Sequence, residues 1–156
     1  MLTLLLVSVC VGAGLVGGVF FAFSAFVMKA LAQLPARHGI AAMQRINAVV
    51  LNPLFLGLFL GTAVLAALCV AAGVHAWGAA RSALLLVAGL GYLAGTFGVT
   101  VAFNVPRNER LARLEAGSAE AAAYWPVYVR EWLFWNHVRT VASLVSAVSA
   151  ATALAC

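Results

Sequence analysis

Four apolar runs constrain the fold before anything else does: Leu2 to Met28, Val50 to Gly73, Ser82 to Phe103 and Trp132 to Ala155. Each is long enough to cross roughly 30 Å of hydrocarbon, which takes about 20 helical residues. Only 8% of the 156 residues are charged, against about a quarter in soluble domains, so a water-soluble fold is excluded. The four runs use nearly the whole length. The expected fold class is therefore an all-α integral membrane protein, with residues 1–156 forming one four-transmembrane-helix bundle and short interfacial helices in the first and third loops.

The first run reads as a retained span rather than a signal peptide. It lacks a basic leader, exceeds the usual apolar length, and ends in Phe20-Phe21-Ala22-Phe23-Ser24 instead of small residues. The three cysteines, Cys10, Cys69 and Cys156, have no metal-binding spacing and read as small apolar side chains. The net charge of +5 comes from sparse cations beside the spans, a pattern that sets orientation and argues against nucleic acid as a partner. Lys29, Arg37 and Arg45 lie in the first loop and Arg107, Arg110, Arg113 and Arg130 in the third, whereas Arg81 stands alone in the second. The expected location is a bacterial inner membrane, with the first and third loops in the cytoplasm and both termini outside.

Gly14/Gly18, Gly57/Gly61 and Gly91/Gly95 repeat a four-residue spacing that lets membrane helices approach closely. Tight packing within the chain is the expected use, with a homo-oligomer face as the other. Between the first two spans, Ile40, Met43 and Ile46 recur at helical spacing and predict a short interfacial helix. Asn52-Pro53 reads as cap and first turn of the second span. Phe103-Asn104-Val105-Pro106 reads as the end of the third, because the residue before proline resists helical geometry, and Pro106 should open a separate polar helix through Glu115. Gly117-Ser118 should cap a last helix that starts near Ala119 and runs through Pro126. At about 100° per residue, Trp125, Tyr128, Trp132, Trp135, Asn136, Arg139, Ser143 and Ser146 fall on one broad side of it.

The chemistry-bearing residues gather at one level. Asn47, Asn52, Asn104, Arg107, Asn108, Glu131, Asn136, His137 and Arg139 all lie near the same ends of the segments, and ionisable groups at membrane depth are functional suspects by default. Taken singly, Asn52 and Asn104 read equally as caps and Arg139 as a snorkelling anchor. His38, His75 and His137 are far apart and no paired-ligand spacing exists, so neither a metal nor a cofactor is expected. His137 and Arg139 sit about 200° apart around a helix, so they cannot both point straight into one pocket unless other helices wrap the site.

Phe20-Phe21-Ala22-Phe23-Ser24 with Val27-Met28, Ala42-Met43-Gln44-Arg45-Ile46-Asn47 leading to Asn52-Pro53, Phe103-Asn104-Val105-Pro106-Arg107-Asn108, and Trp132 through Arg139 together resemble the signature blocks of the anthrone oxygenase-like family of small membrane proteins. The resemblance implies a four-helix membrane protein whose characterised members oxidise an anthrone to an anthraquinone with molecular oxygen and no recognised cofactor.

Under that resemblance the function expected is a cofactor-independent membrane oxygenase acting on a lipophilic anthrone-like or phenolic substrate drawn from the bilayer. His137 is assigned as base, and Arg139 and Asn104 as oxyanion donors. Asn47, Asn52 and Asn136 orient the substrate, Trp132, Trp135 and Phe23 wall it, and Glu131 stands beside it. The alternative is a non-catalytic membrane protein that binds a quinone, a lipid or a partner helix through the same pocket. A proton-coupled transporter fits less well, because no acidic residue lies at mid-span.

Overall fold

The computed structural model describes residues Met1–Cys156 and is helical throughout. Five helices make up the chain: α1 (Leu2–Gln33), α2 (Ala36–Val49), α3 (Pro53–His75), α4 (Ser82–Ala112) and α5 (Ala119–Leu154). All except α2 are long and apolar enough to cross a membrane, so the fold is an all-α membrane bundle of four spans. Helix α5 lies along α1 and against α4, while α3 packs between α1 and α4. The amphipathic α2 lies across one end, burying Ile40 and Met43 in a cluster with Met28, Leu31, Leu111, Tyr124, Trp125 and Tyr128.

Local chemistry sets most boundaries where the sequence predicts them. Asn52 is extended, and its Oδ1 accepts from the Phe55 amide at 3.0 Å ahead of Pro53. Ser118 caps α5 in the same way, accepting from the Ala121 amide at 3.1 Å. The connection from α3 to α4 turns at Gly78, whose φ of 89° favours glycine.

One expectation about helix ends is corrected, and one helix outruns its apolar run. Helix α1 continues past Met28 through a π-helical segment, Phe23–Val27, to Gln33, and ends where Leu34 turns extended before Pro35. Helix α4 runs without a break through Val105-Pro106, so no separate interfacial helix forms in the third loop. The reason is visible just upstream, where Gly91–Gly98 and Thr100–Asn104 are π-helical. This wider winding resets the ladder immediately before Pro106. The proline then falls in the first turn of an α-helical segment, where its missing N–H has no obligatory partner.

The glycine pairs divide. A Cβ at Gly91 or Gly95 would meet Ala142 on α5, as expected of close packing, but one at Gly14, Gly18, Gly57 or Gly61 would meet nothing. Those two pairs face outward, so they do not tighten the bundle. Close approach comes instead from glycines outside the motifs: at Gly12 a Cβ would collide with Thr62, at Gly17 with Ser143, and at Gly89 with the Ala66 carbonyl and Val70.

Candidate functional site

The site is built on α5. Trp125, Tyr128, Trp132, Asn136, Arg139, Ser143 and Ser146 recur every three or four residues and are all buried, as their common side predicts. Asn136 is fully buried, and its Nδ2 donates to the Phe20 carbonyl at 2.7 Å and to Ser24 Oγ at 2.8 Å. Its remaining acceptor, Oδ1, takes a bond from Arg139 Nη2 at 2.7 Å. Asn136 thus fastens α5 to α1 with one end and positions a guanidinium with the other.

Arg139 is 4% exposed. Its partners are neutral: Asn136 Oδ1, Thr100 Oγ1 at 3.2 Å, and the faces of Phe20 and Trp132, whose centroids lie 4.0 and 5.2 Å from the guanidinium carbon. No carboxylate pairs with it, since the two ion pairs of the protein join Arg107 to Glu131 and Arg113 to Glu109. Removing a cation from water costs several kcal/mol even after relaxation. Hydrogen bonds to neutral oxygens and ring faces offset part of that cost but leave the charge uncancelled. Arg139 Nε also has no partner. The arrangement therefore suits an anion or a strongly polarised oxygen arriving from elsewhere.

A second network holds the roof of this site. Trp132 Nε1 and Tyr128 Oη both donate to Asn108 Oδ1, at 2.8 and 2.9 Å, and Asn47 Nδ2 reaches Tyr128 Oη at 3.5 Å. Three helices, α2, α4 and α5, thereby fix the Trp132 ring that covers Arg139, and Phe23 packs against that ring at 5.5 Å between centroids. Asn104 is 1% exposed and donates from Nδ2 to the Trp132 carbonyl at 3.2 Å, while its Oδ1 is unpartnered. Glu131 lies at the edge, held by Arg107 at 2.9 Å, and Trp135 stacks on Phe103 at 3.6 Å.

The structure therefore brings Arg139, Asn136, Trp132, Phe23 and Asn104 together and ties Asn47 to them through Tyr128 and Asn108. It does not bring in His137 or Asn52. His137 is exposed on the outer side of α5 and has no hydrogen-bond partner; the angular separation from Arg139 is resolved in the arginine's favour, and the base assignment has no geometric support. Asn52 is exposed and spends its side chain on the Val49 carbonyl and the Phe55 amide, as a cap. The sequence places Asn108 at this level and Phe20 and Ser24 in a signature block but assigns them no role, and it does not single out Thr100 or Thr140; each touches the networks, with Thr140 Oγ1 lying 3.3 Å from Ser24 Oγ. The available signal was hydroxyl and amide groups inside apolar spans. The π-helical segments flank the same place and contribute Ser24, Thr100 and Asn104, and such segments recur at functional sites. Two broad outward-facing grooves, of about 300 and 410 Å3, lie elsewhere, one along Val141 to Ser149 and one between α1 and α3 beside Gly57 and Gly61.

Fold and site together describe a small membrane helical bundle built around a buried, unpaired cation roofed by an indole. The sequence pattern of the anthrone oxygenase family matches residues 47–149, and the chain belongs to that family. The matched stretch contains Asn104, Trp132, Asn136 and Arg139. No curated protein and no solved structure gives a match.

Proposed function

We propose that the protein is a membrane oxygenase that takes a lipophilic anthrone-like or phenolic aromatic substrate from the bilayer and oxidises it with molecular oxygen. The observation that carries this reading is Arg139, a buried cation with no acid partner and a free N–H. An anthrone's methylene proton is acidic because the resulting anion is a delocalised phenolate. Arg139 stabilises that oxygen, the charge developing in a site that excludes water. Trp132, Phe20 and Phe23 supply aromatic walls, and Asn136 keeps the guanidinium in place.

The anion gives one electron to O2, and the resulting carbon radical and superoxide join through a new C–O bond. Protonation yields a hydroperoxide. Loss of water from it, breaking the O–O bond and the remaining C–H bond, leaves the second ketone. One anthrone and one O2 give one anthraquinone and one water. The proton lost on ionisation is matched by the one that converts the peroxide anion to the hydroperoxide, so no proton is consumed overall.

Oxygen consumption on adding anthrone to purified protein in lipid nanodiscs tests the reading. The wild type is expected to consume oxygen above the spontaneous rate, and Arg139→Gln to lower that activity by roughly two to three orders of magnitude, the range for one lost oxyanion donor. Anthrone binding without oxygen uptake would favour the non-catalytic binder of quinone or lipid. The same reading locates the protein in a bacterial inner membrane with both termini outside. Cys156 is exposed, so a membrane-impermeant thiol reagent should label it in intact cells; labelling only after permeabilisation would invert the orientation.

A further inference from the structure

His137 faces away from the bundle at a depth where a polar side chain needs a partner. It lies five residues into the apolar run that begins at Trp132, about 8 Å along the helix, and it is exposed with no hydrogen-bond partner. Ionisable side chains within membrane spans almost always face the protein interior or pair with another polar group. Phe134, His137, Val141, Leu144 and Val148 follow one another by three and four residues, the alternation that lines one seam between two helices, and all five are exposed. Farther along this stripe the surface is concave. Its groove of about 300 Å3 is lined by Val141, Leu144, Val145, Val148 and Ser149. The first four stand at i, i+3, i+4 and i+7, the set that forms the hole into which a side chain of a facing helix inserts. What fits here is a helix with an apolar side chain at the level of the groove and a hydrogen-bonding group two turns away, at the level of His137.

We propose that two copies of this chain pair in the membrane through this face of α5, with His137 of one copy hydrogen-bonded to its counterpart in the other. A second α5 supplies both requirements. A neutral imidazole carries one N–H donor and one bare acceptor nitrogen, so the residue is complementary to itself, and copies inserted the same way round present their α5 helices in parallel and in register. Two-fold dimers with self-complementary interfaces are the commonest homo-oligomers. Arg130, seven residues before His137, precedes the apolar run, so two copies of it separate into water. The interface lies on the opposite side of α5 from Arg139, and it stands whatever the arginine binds.

Energy transfer between donor-labelled and acceptor-labelled copies of the full chain, mixed in phosphatidylcholine vesicles and diluted with lipid, tests the pairing. The wild type is expected to follow a monomer–dimer isotherm. His137→Ala is expected to need roughly a fivefold to thirtyfold higher protein-to-lipid ratio for half-pairing, the range for one hydrogen bond between membrane helices, and His137→Asn, which keeps a donor and an acceptor, to restore most of the loss. Oxidative cross-linking locates the face in a background with Cys10, Cys69 and Cys156 replaced by alanine. Val141→Cys and Val148→Cys are expected to form covalent dimers, and Val64→Cys, equally exposed but on α3, to stay monomeric. Wild-type protein with no dilution-dependent energy transfer overturns the proposal. So does pairing as tight in His137→Ala as in the wild type, or cross-linking through Val64→Cys as efficient as through Val141→Cys. The cross-linking comparison keeps the native histidine and holds even if the alanine variant fails to fold.

Discussion

The two halves of the bundle are made of the same helices but differ in how completely they satisfy their buried polar groups. In the half that holds Leu6, Val9, Cys69, Leu85, Ala88 and Ala150, and toward mid-bundle, buried hydroxyls close on backbone carbonyls. Ser82 donates to Gly73, Ser146 to Ala88, Tyr92 to Phe59 and Thr62 to Leu58. In the other half, such bonds are joined by side-chain-to-side-chain bonds across helices, α1 and the end of α4 wind into the π segments Phe23–Val27 and Thr100–Asn104, and the three buried unpartnered atoms of the protein, on Asn104, Trp125 and Arg139, are all found. Lipid offers no water to satisfy a stray polar group. One half is therefore finished as a scaffold, while the other retains hydrogen-bonding capacity that a ligand can use.

Substitutions separate the two kinds of half by what they change. The largest loss of stability is expected from Asn136→Ala, which removes one hydrogen-bond partner each from the Phe20 carbonyl, Ser24 and Arg139. Thermal unfolding in detergent, followed by loss of helical circular dichroism, should show about 3 kcal/mol, the upper end for a buried group bonded to a charge; anthrone affinity should fall as well. Gly89→Ala, in the scaffold half, should cost about 1–3 kcal/mol by overpacking, because its Cβ would lie 2.5 Å from the Ala66 carbonyl oxygen and from Val70 Cγ2. In the folded fraction, anthrone affinity should be unchanged. An Asn136→Ala protein that binds normally would erase the distinction between the halves.

Smaller effects sharpen it. Ser146→Ala removes one bond to a carbonyl that α4 already uses, and about 1 kcal/mol of stability should go with it. Gly14→Ala meets open space and His137→Ala removes an exposed ring, so both should fall within about 0.5 kcal/mol of wild type. His137→Ala should also keep its oxygen uptake. Loss of that activity would put the exposed face of α5, rather than the arginine face, at the centre of the chemistry.

The fold was legible because lipid leaves so few options: four apolar runs of spanning length must be helices, and Asn52-Pro53 and Gly117-Ser118 mark their starts by local hydrogen bonding. The proline at 106 misled because the rule about its predecessor assumes α-winding upstream, and π-winding there accommodates it. For the site, the side of α5 was readable from its period, and the angular conflict between His137 and Arg139 was readable too. Which of them faces inward depends on the rotation of α5 against α1, and Gly17 meeting Ser143 and Asn136 reaching the Phe20 carbonyl set that rotation. Neither contact has a signature in a single sequence. The hydroxyls of Ser24 and Thr100 carry only a weak signal for the same reason, being one serine and one threonine among many in apolar spans.

The central claim is that Arg139, a buried cation with no acid partner, stabilises an oxyanion, and the ionisation of a bound ligand tests it most directly. Under argon, anthrone bound to the protein in nanodiscs is titrated with base while the absorbance of its coloured anion is followed. An unpaired cation beside the oxygen favours the charged form. The account predicts that bound anthrone ionises at lower pH than anthrone in empty nanodiscs, and that Arg139→Gln abolishes the difference while His137→Ala preserves it. Ionisation of bound anthrone at the same or higher pH than in empty nanodiscs, or a shift that survives Arg139→Gln, would contradict it.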